Sequence, residues 1–179
     1  MELEKQVEAL KEQVSRLEAG TKEQVSMVVF SGDLDKILAA MIIATGAAAY
    51  DMKVNLFFTF WATASLRDPA KSGKDKSMME KMFGIMLPKG ARKVKLSKMN
   101  MCGMGTQMIK GIMKKHKVAS LDEMFKTAGE LGVVINICEM SMNLMGFKRE
   151  EMIDYPHMNV CGVATFLADA AESKIQLFI

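Results

Sequence analysis

Leu3, Val7, Leu10, Val14 and Leu17 recur at alternating intervals of four and three, the a/d spacing of an amphipathic helix with a coiled-coil seam. This predicts a helix over residues 1–20, closed by "AGTK" at 19–22. Val at a and Leu at d suit two strands, but a seam of about two heptads is marginal alone. The helix is therefore expected to dock on a partner chain or on its own domain. From Val25 onward the period changes. Apolar runs at 25–30 ("VSMVVF"), 53–60, 133–137, 157–160 and 175–179 read as buried strands. Helical patterns are expected at 34–50, 78–86, 104–117, 120–131, as a pair over 140–153, and at 163–173. Asp33 is a candidate N-cap, and Ser120 with Glu123 forms a capping box. The polar stretch 62–77, with Pro69 and Gly73, reads as a loop, and 92–97 as a short strand or extended link.

Near-continuous apolar strands alternating with helices predict a mainly parallel five-stranded sheet covered on both faces, an α/β fold. The expected organisation is a coiled-coil-like helix at 1–20 and a single α/β domain at 25–179.

Composition narrows the partners. Half of the residues are hydrophobic, a quarter are charged and the net charge is +3, too mild for a nucleic-acid surface, and no basic run interleaves with aromatics. The start "MELEKQVEALKEQ" is charged and unlike a signal peptide. The most apolar stretch, "LAAMIIATGAAAY" at 38–50, is far short of a membrane span of about 20 residues. No nucleic acid, no membrane and a cytoplasmic setting are the expectations. Three cysteines, an odd number, do not make a disulfide framework. Each is core filler, metal ligand or reactive thiol. Arg67–Lys98 carries ten Lys/Arg against three acids, a solvated face or a dock for an acidic partner.

In a parallel α/β sheet, ligands gather at the carboxyl ends of strands. Cys138 directly follows "VVINI" and Cys161 directly follows "HMNV", each ahead of a predicted helix whose N–H groups favour thiolate. Glu139 would oppose thiolate formation if it pointed inward. His116 and His157 belong to no dyad. "SGDLDK" (31–36) sits where an anion could bind, but its two aspartates oppose one, and "CGMGTQM" lacks the Walker lysine. Methionine is unusually abundant, 19 residues, which reads as soft core and interface packing. Met99, Met101, Cys102 and Met104 also make a ligand set that Cu(I) favours.

Taken together, "SGDLDKILAAMIIATGAAAYDMKVNLFFTFW", "LSKMNMCGMGTQMI", "NICEMSMNLMGF" and "VCGVATFLADA" resemble the DsrE/DsrF-like family, in particular its branch of DsrE-related sulfur carriers. The resemblance covers about residues 25–179. It implies a three-layer α/β/α sandwich, homo-oligomeric assembly, and a sulfur carrier or sulfurtransferase that holds sulfur as a cysteine persulfide, a carrier rather than a multi-turnover enzyme. The implied partners are rhodanese-like and small sulfur-carrier proteins, with no cofactor and no metal. The sulfur-accepting cysteine of the family matches Cys138, and a second thiol of some members matches Cys161. Ser141, Met142 and Met145 in C-x-x-S-M-x-x-M-G, together with Cys102, are the candidate binding residues. No P-x-x-x-T/S-x-x-C peroxidatic motif is present. Two other classes stay open: a non-catalytic oligomeric module binding a soft metal or a partner through its Met/Cys-rich segments, and a thiol redox protein pairing Cys138 with Cys161.

Overall fold

The computed structural model describes residues 2–19, 22–73 and 76–179. Helix α1 (Glu2–Ala19) leads into strand β1 (Lys22–Val29); Gly20 and Thr21, expected to end the helix, lie outside the described residues. Leu3, Val7, Leu10 and Val14 are all exposed, so this part of the stripe is unpaired within the chain. Then follow α2 (Leu34–Ala49) and β2 (Lys53–Phe58), α3 (Met78–Met86), α4 (Met104–Lys115) and α5 (Leu121–Glu130). The chain closes with β3 (Val134–Cys138), α6 (Glu139–Leu144), β4 (Met158–Cys161), α7 (Val163–Ala171) and β5 (Ser173–Phe178).

The strands form one all-parallel sheet in the order β4-β3-β2-β1-β5, with helices on both faces. The expected three-layer α/β fold is the observed one. Because strand side chains alternate, the two faces separate cleanly. Val25, Met27, Val29, Leu56, Phe58, Ile135 and Ile137 join one apolar core with Ile37, Ala40, Met41 and Ala44 of α2 and Leu121, Phe125 and Ala128 of α5. The phenyl rings of Phe58 and Phe125 meet at 6.2 Å. The opposite face presents Gln24, Ser26, Val28, Asn55, Phe57 and Asn136, all buried, toward α7. There Phe57 packs on Phe166 at 5.5 Å, while Gln24 Nε2 donates to the Asp169 carbonyl at 2.7 Å and to Ser173 Oγ at 2.8 Å.

Helix starts follow the local sequence. Both Ser77–Glu80 and Ser120–Glu123 close reciprocal capping boxes, satisfying backbone donors that no helical carbonyl can reach. Asp33 holds the N-cap position of α2, but its side chain makes no cap bond and instead accepts from Ser31 Oγ at 2.8 Å.

The stretch read as a loop at 62–77 departs from expectation. Phe60–Leu66 is a 3-10 helix with Ala62, Thr63, Ala64, Ser65 and Leu66 buried. Its small side chains look loop-like in sequence yet allow close approach: a Cβ on Gly32 would lie 2.7 Å from the Trp61 carbonyl oxygen. Two cations of the basic stretch are internal. Arg67 and Lys76 both pair with the buried Glu151, and the Arg67 guanidinium lies 4.6 Å above the Phe147 ring. The segment expected as a strand or link at 92–97 begins inside a 3-10 helix, Ala91–Lys93, and only 94–96 is an extended link, its Lys95 carbonyl accepting from the Leu34 N–H at 2.8 Å.

Candidate functional site

Cys138 is the last residue of β3 and the N-cap of α6. Its place in the alternation puts it on the α7 face, with Asn136 and opposite in phase to Ile135 and Ile137. It is buried, 5% exposed. Beside it Thr59, which follows β2, and Ser141 of α6 join their hydroxyls at 2.8 Å.

The sulfur of Cys138 lies within reach of both hydroxyls and of the N–H groups of Met140 and Ser141. Burial pushes its thiol up. The Ser141 hydroxyl and N–H, the Thr59 hydroxyl and the Met140 N–H outweigh that, and the net is below the ordinary thiol value. Hydrogen bonds to the charged form favour it. The proton count is restrictive: two hydroxyl protons serve both the Thr59–Ser141 bond and the sulfur. At most one hydroxyl proton is therefore left for the sulfur while the two hydroxyls stay bonded to each other. Glu139 is exposed and is not among the groups acting on Cys138, so it points away as a reactive thiol requires.

Cys161 ends β4 and is the register partner of Cys138. Cross-strand partners project to the same face, so the two residues are neighbours, their backbones about 4.8 Å apart at the strand spacing. Burial raises the Cys161 thiol; the Thr165 hydroxyl opposes this, while Cys138 and Asp169 reinforce it. Cys161 is only partly buried. The pair is asymmetric: one enclosed thiol that favours its anion, one more open thiol that does not.

Among the other candidates, Ser141 is fully buried against Cys138. Met142 and Met145 are buried in the core cluster, whereas Met140 is exposed. Cys102 is exposed and sits elsewhere, in the link ahead of α4, where Met99, Met101, Cys102 and Gly103 all have positive φ. Gly105 is required there because a Cβ would strike the Met99 carbonyl oxygen at 1.8 Å. Among the described residues no group of three or more His, Cys, Asp and Glu is placed to hold a metal ion. Sequence reasoning missed Thr59. Its only signal is a hydroxyl just past a strand end, which acquires meaning once β2 is known to neighbour β3.

A cleft of about 830 Å³ opens at the C-terminal ends of β1 and β2, and Ser31, Asp33, Trp61, Lys89, Lys93 and Lys95 are among the residues that line it. Among the described residues no helix is long and apolar enough to cross a membrane.

The model of a family described as DsrE/DsrF/DrsH-like matches residues 21–178. An uncharacterized protein of Bacillus subtilis (strain 168), YrkE, is 48% identical over 157 residues, 88% of this chain and 97% of that protein. A sulfur carrier protein of Allochromatium vinosum, DsrE2, is 30% identical over 172 residues, 88% of this chain and 99% of that protein. Among solved structures, the ychN protein from E. coli aligns over 87% of this chain and 98% of its own, with a TM-score of 0.49 at 10% identity.

Proposed function

Because this chain belongs to the DsrE/DsrF/DrsH-like family, we propose that it works in sulfur transfer, carrying sulfur as a persulfide on Cys138. The observation that carries this reading is the set of donors around that sulfur: two amide N–H groups and a shared hydroxyl pair, enclosed away from water. The similarity to a protein named as a sulfur carrier supports the same class.

In the proposed step, the Cys138 thiolate attacks the outer sulfur of a donor persulfide. A bond forms between that sulfur and Sγ of Cys138, the donor's own S–S bond breaks, and the donor leaves as a thiolate. No external oxidant or reductant is consumed. The persulfide anion that results meets the same donors that favour the thiolate, and burial shields it from solvent and oxidants. A later acceptor thiol removes the sulfur by the same chemistry and returns Cys138 as a thiolate.

The partners that fit are rhodanese-like and small sulfur-carrier proteins. Lys89, Lys93 and Lys95 line a cleft at the same end of the sheet as Cys138, and we infer that an acidic partner surface is steered there. Such steering sets on-rate and orientation and weakens with salt.

Incubating the reduced protein with a small persulfide donor is expected to add one sulfur atom to Cys138, removed again by a thiol reductant and read by peptide mass mapping. If Cys138→Ser takes up sulfur as fast as the parent protein, the reading is wrong.

A further inference from the structure

Cys138 is 5% exposed, so a sulfur held there is less accessible to a large acceptor than one held nearer the surface. Its register partner Cys161 is nearer the surface, on the edge strand β4 and on the same face. We propose that the two thiols form a relay in which sulfur loaded on buried Cys138 passes to Cys161, from which large acceptors collect it. This rests on the reading of Cys138 as the loading thiol.

The step balances without any co-reactant. The Cys161 thiol gives its proton to the terminal sulfur of the Cys138 persulfide anion, and the Cys161 thiolate then attacks that sulfur. A bond forms between Sγ of Cys161 and the moving sulfur, and its bond to Sγ of Cys138 breaks. The electron pair leaves with Cys138 as a thiolate, and a persulfide stands on Cys161. Three sulfurs, one proton and one negative charge are present before and after. The electronic asymmetry favours this direction. The thiol held low by its donors leaves best, and the thiol raised by burial is the stronger nucleophile once deprotonated.

Sheet geometry brings the two residues within reach of a direct transfer. Partners on parallel strands project side by side, with their backbones at the strand spacing of about 4.8 Å. That spacing also lies within the Cα range of a disulfide, roughly 4.4–6.8 Å, so the products separate the two outcomes: a relay moves the sulfur and keeps it, and a disulfide expels it as sulfide.

The test loads the full-length protein with a limiting pulse of cysteine persulfide and quenches with an alkylating agent over time. Peptide mapping is expected to find the extra sulfur first on Cys138 and then on Cys161, with Cys161 labelling lost in Cys138→Ser. Loaded protein is then offered either glutathione or a thiol-bearing dextran too large to enter the site. Wild type should pass sulfur to both, and Cys161→Ala to glutathione only, with its sulfur retained on Cys138. Cys161→Ser, which keeps a polar group of similar size, should repeat that size-dependent split. The relay is overturned if Cys161→Ala unloads to dextran at the wild-type rate, or if Cys138 loads while Cys161 never does. It is equally overturned if the wild type releases sulfide and ends as a Cys138–Cys161 disulfide. Loading of Cys161 in Cys138→Ser as fast as in wild type also removes the relay. Failure of Cys138 itself to load in wild type would instead remove the reading beneath it.

Discussion

The two faces of the sheet are built on opposite terms. Toward α2 and α5, β1, β2 and β3 contribute Val25, Met27, Val29, Leu56, Phe58, Ile135 and Ile137 without a polar interruption. Toward α7, the same strands interleave Gln24, Ser26, Asn55 and Asn136 with Val28 and Phe57, and the face ends in Cys138 and Cys161. An apolar face gains from area and tolerates imprecision. A polar one must pair each buried atom or lose the desolvation cost. The pairing centres on Ser173, whose Oγ donates its single proton to the Asp169 carbonyl at 2.6 Å and so accepts from both Gln24 Nε2 and Ser26 Oγ, while Gln24 Oε1 and Asn55 Nδ2 on the same face have no partner among the described residues. The lesson is that stability and chemistry share strands but not sides, and that a thiol at a strand end inherits the polar character of its face.

The largest expected effect tests whether the apolar face is only structural. Phe58→Ala removes a fully buried ring that meets Phe125 of α5 and should cost about 3–5 kcal/mol, measured by urea unfolding. The pH midpoint for alkylation of Cys138 should not move in the folded variant, because the ring points away from the thiol. A shifted midpoint would mean that the two faces are mechanically coupled.

On the other face, Ser173→Ala removes the acceptor of the Ser26 hydroxyl and of one Gln24 N–H, leaving Gln24 its bond to the Asp169 carbonyl, and is expected to cost about 1–3 kcal/mol. The loss should be accompanied by faster hydrogen exchange in α7, the helix this network anchors. Exchange that accelerates equally in α2 would contradict the assignment.

How much of this was legible in the sequence depends on the distance between interacting residues. The strands, α3 and the Ser120–Glu123 capping box depend on neighbours a few residues away, and the period and cap residues declare them; the Ser77–Glu80 box was not among the expectations. Cys138 and Cys161 are legible as strand ends for the same reason. That they are register partners is not, since β3 and β4 are joined through α6 and a 3-10 turn at Arg149–Glu151, and no local pattern fixes register. The buried 3-10 helix at 60–66 was hidden because Ala, Thr and Ser serve a loop and a close-packed turn equally well. Arg67 and Lys76 read as part of a solvated basic face, because their partner, Glu151, lies far along the chain. The abundance of methionine predicts soft packing at the core and at interfaces. Met27, Met41, Met142 and Met145 are buried, but Met78, Met79, Met86, Met99, Met101, Met104 and Met108 are exposed, which burial within the chain does not explain.

A finer test of the polar face exploits the shared proton between Thr59 and Ser141. With two hydroxyl protons and one spent on the hydroxyl–hydroxyl bond, either Thr59→Val or Ser141→Ala still leaves one proton free to face the sulfur. Each single variant should therefore raise the alkylation midpoint of Cys138 only slightly. The double variant removes both hydroxyls and should raise it by more than the sum. Additive shifts would mean that both hydroxyls already donate to the sulfur independently.

The smallest effect compares the two thiols through the stability of the fold. Cys138 is lowered in the folded state, chiefly because its hydrogen-bond donors overcome burial. Its contribution is present above the unfolded thiol value of about 8.5 and is lost as pH falls through the folded one. Cys161 is raised, chiefly by burial, so its contribution is complete below about 8.5 and is lost as pH rises through the folded value. The slopes oppose one another. In Cys161→Ser, where only Cys138 of the pair remains, stability relative to the double serine variant should rise with pH on the approach to the unfolded thiol value. In Cys138→Ser it should fall with pH beyond that value. Referring both to the double variant cancels the lysines and Tyr155, which titrate in all three proteins. Urea midpoints across alkaline pH supply the measurement. Parallel slopes in the two single variants would mean that the thiols share one environment, and the asymmetry on which directional sulfur movement depends would be gone.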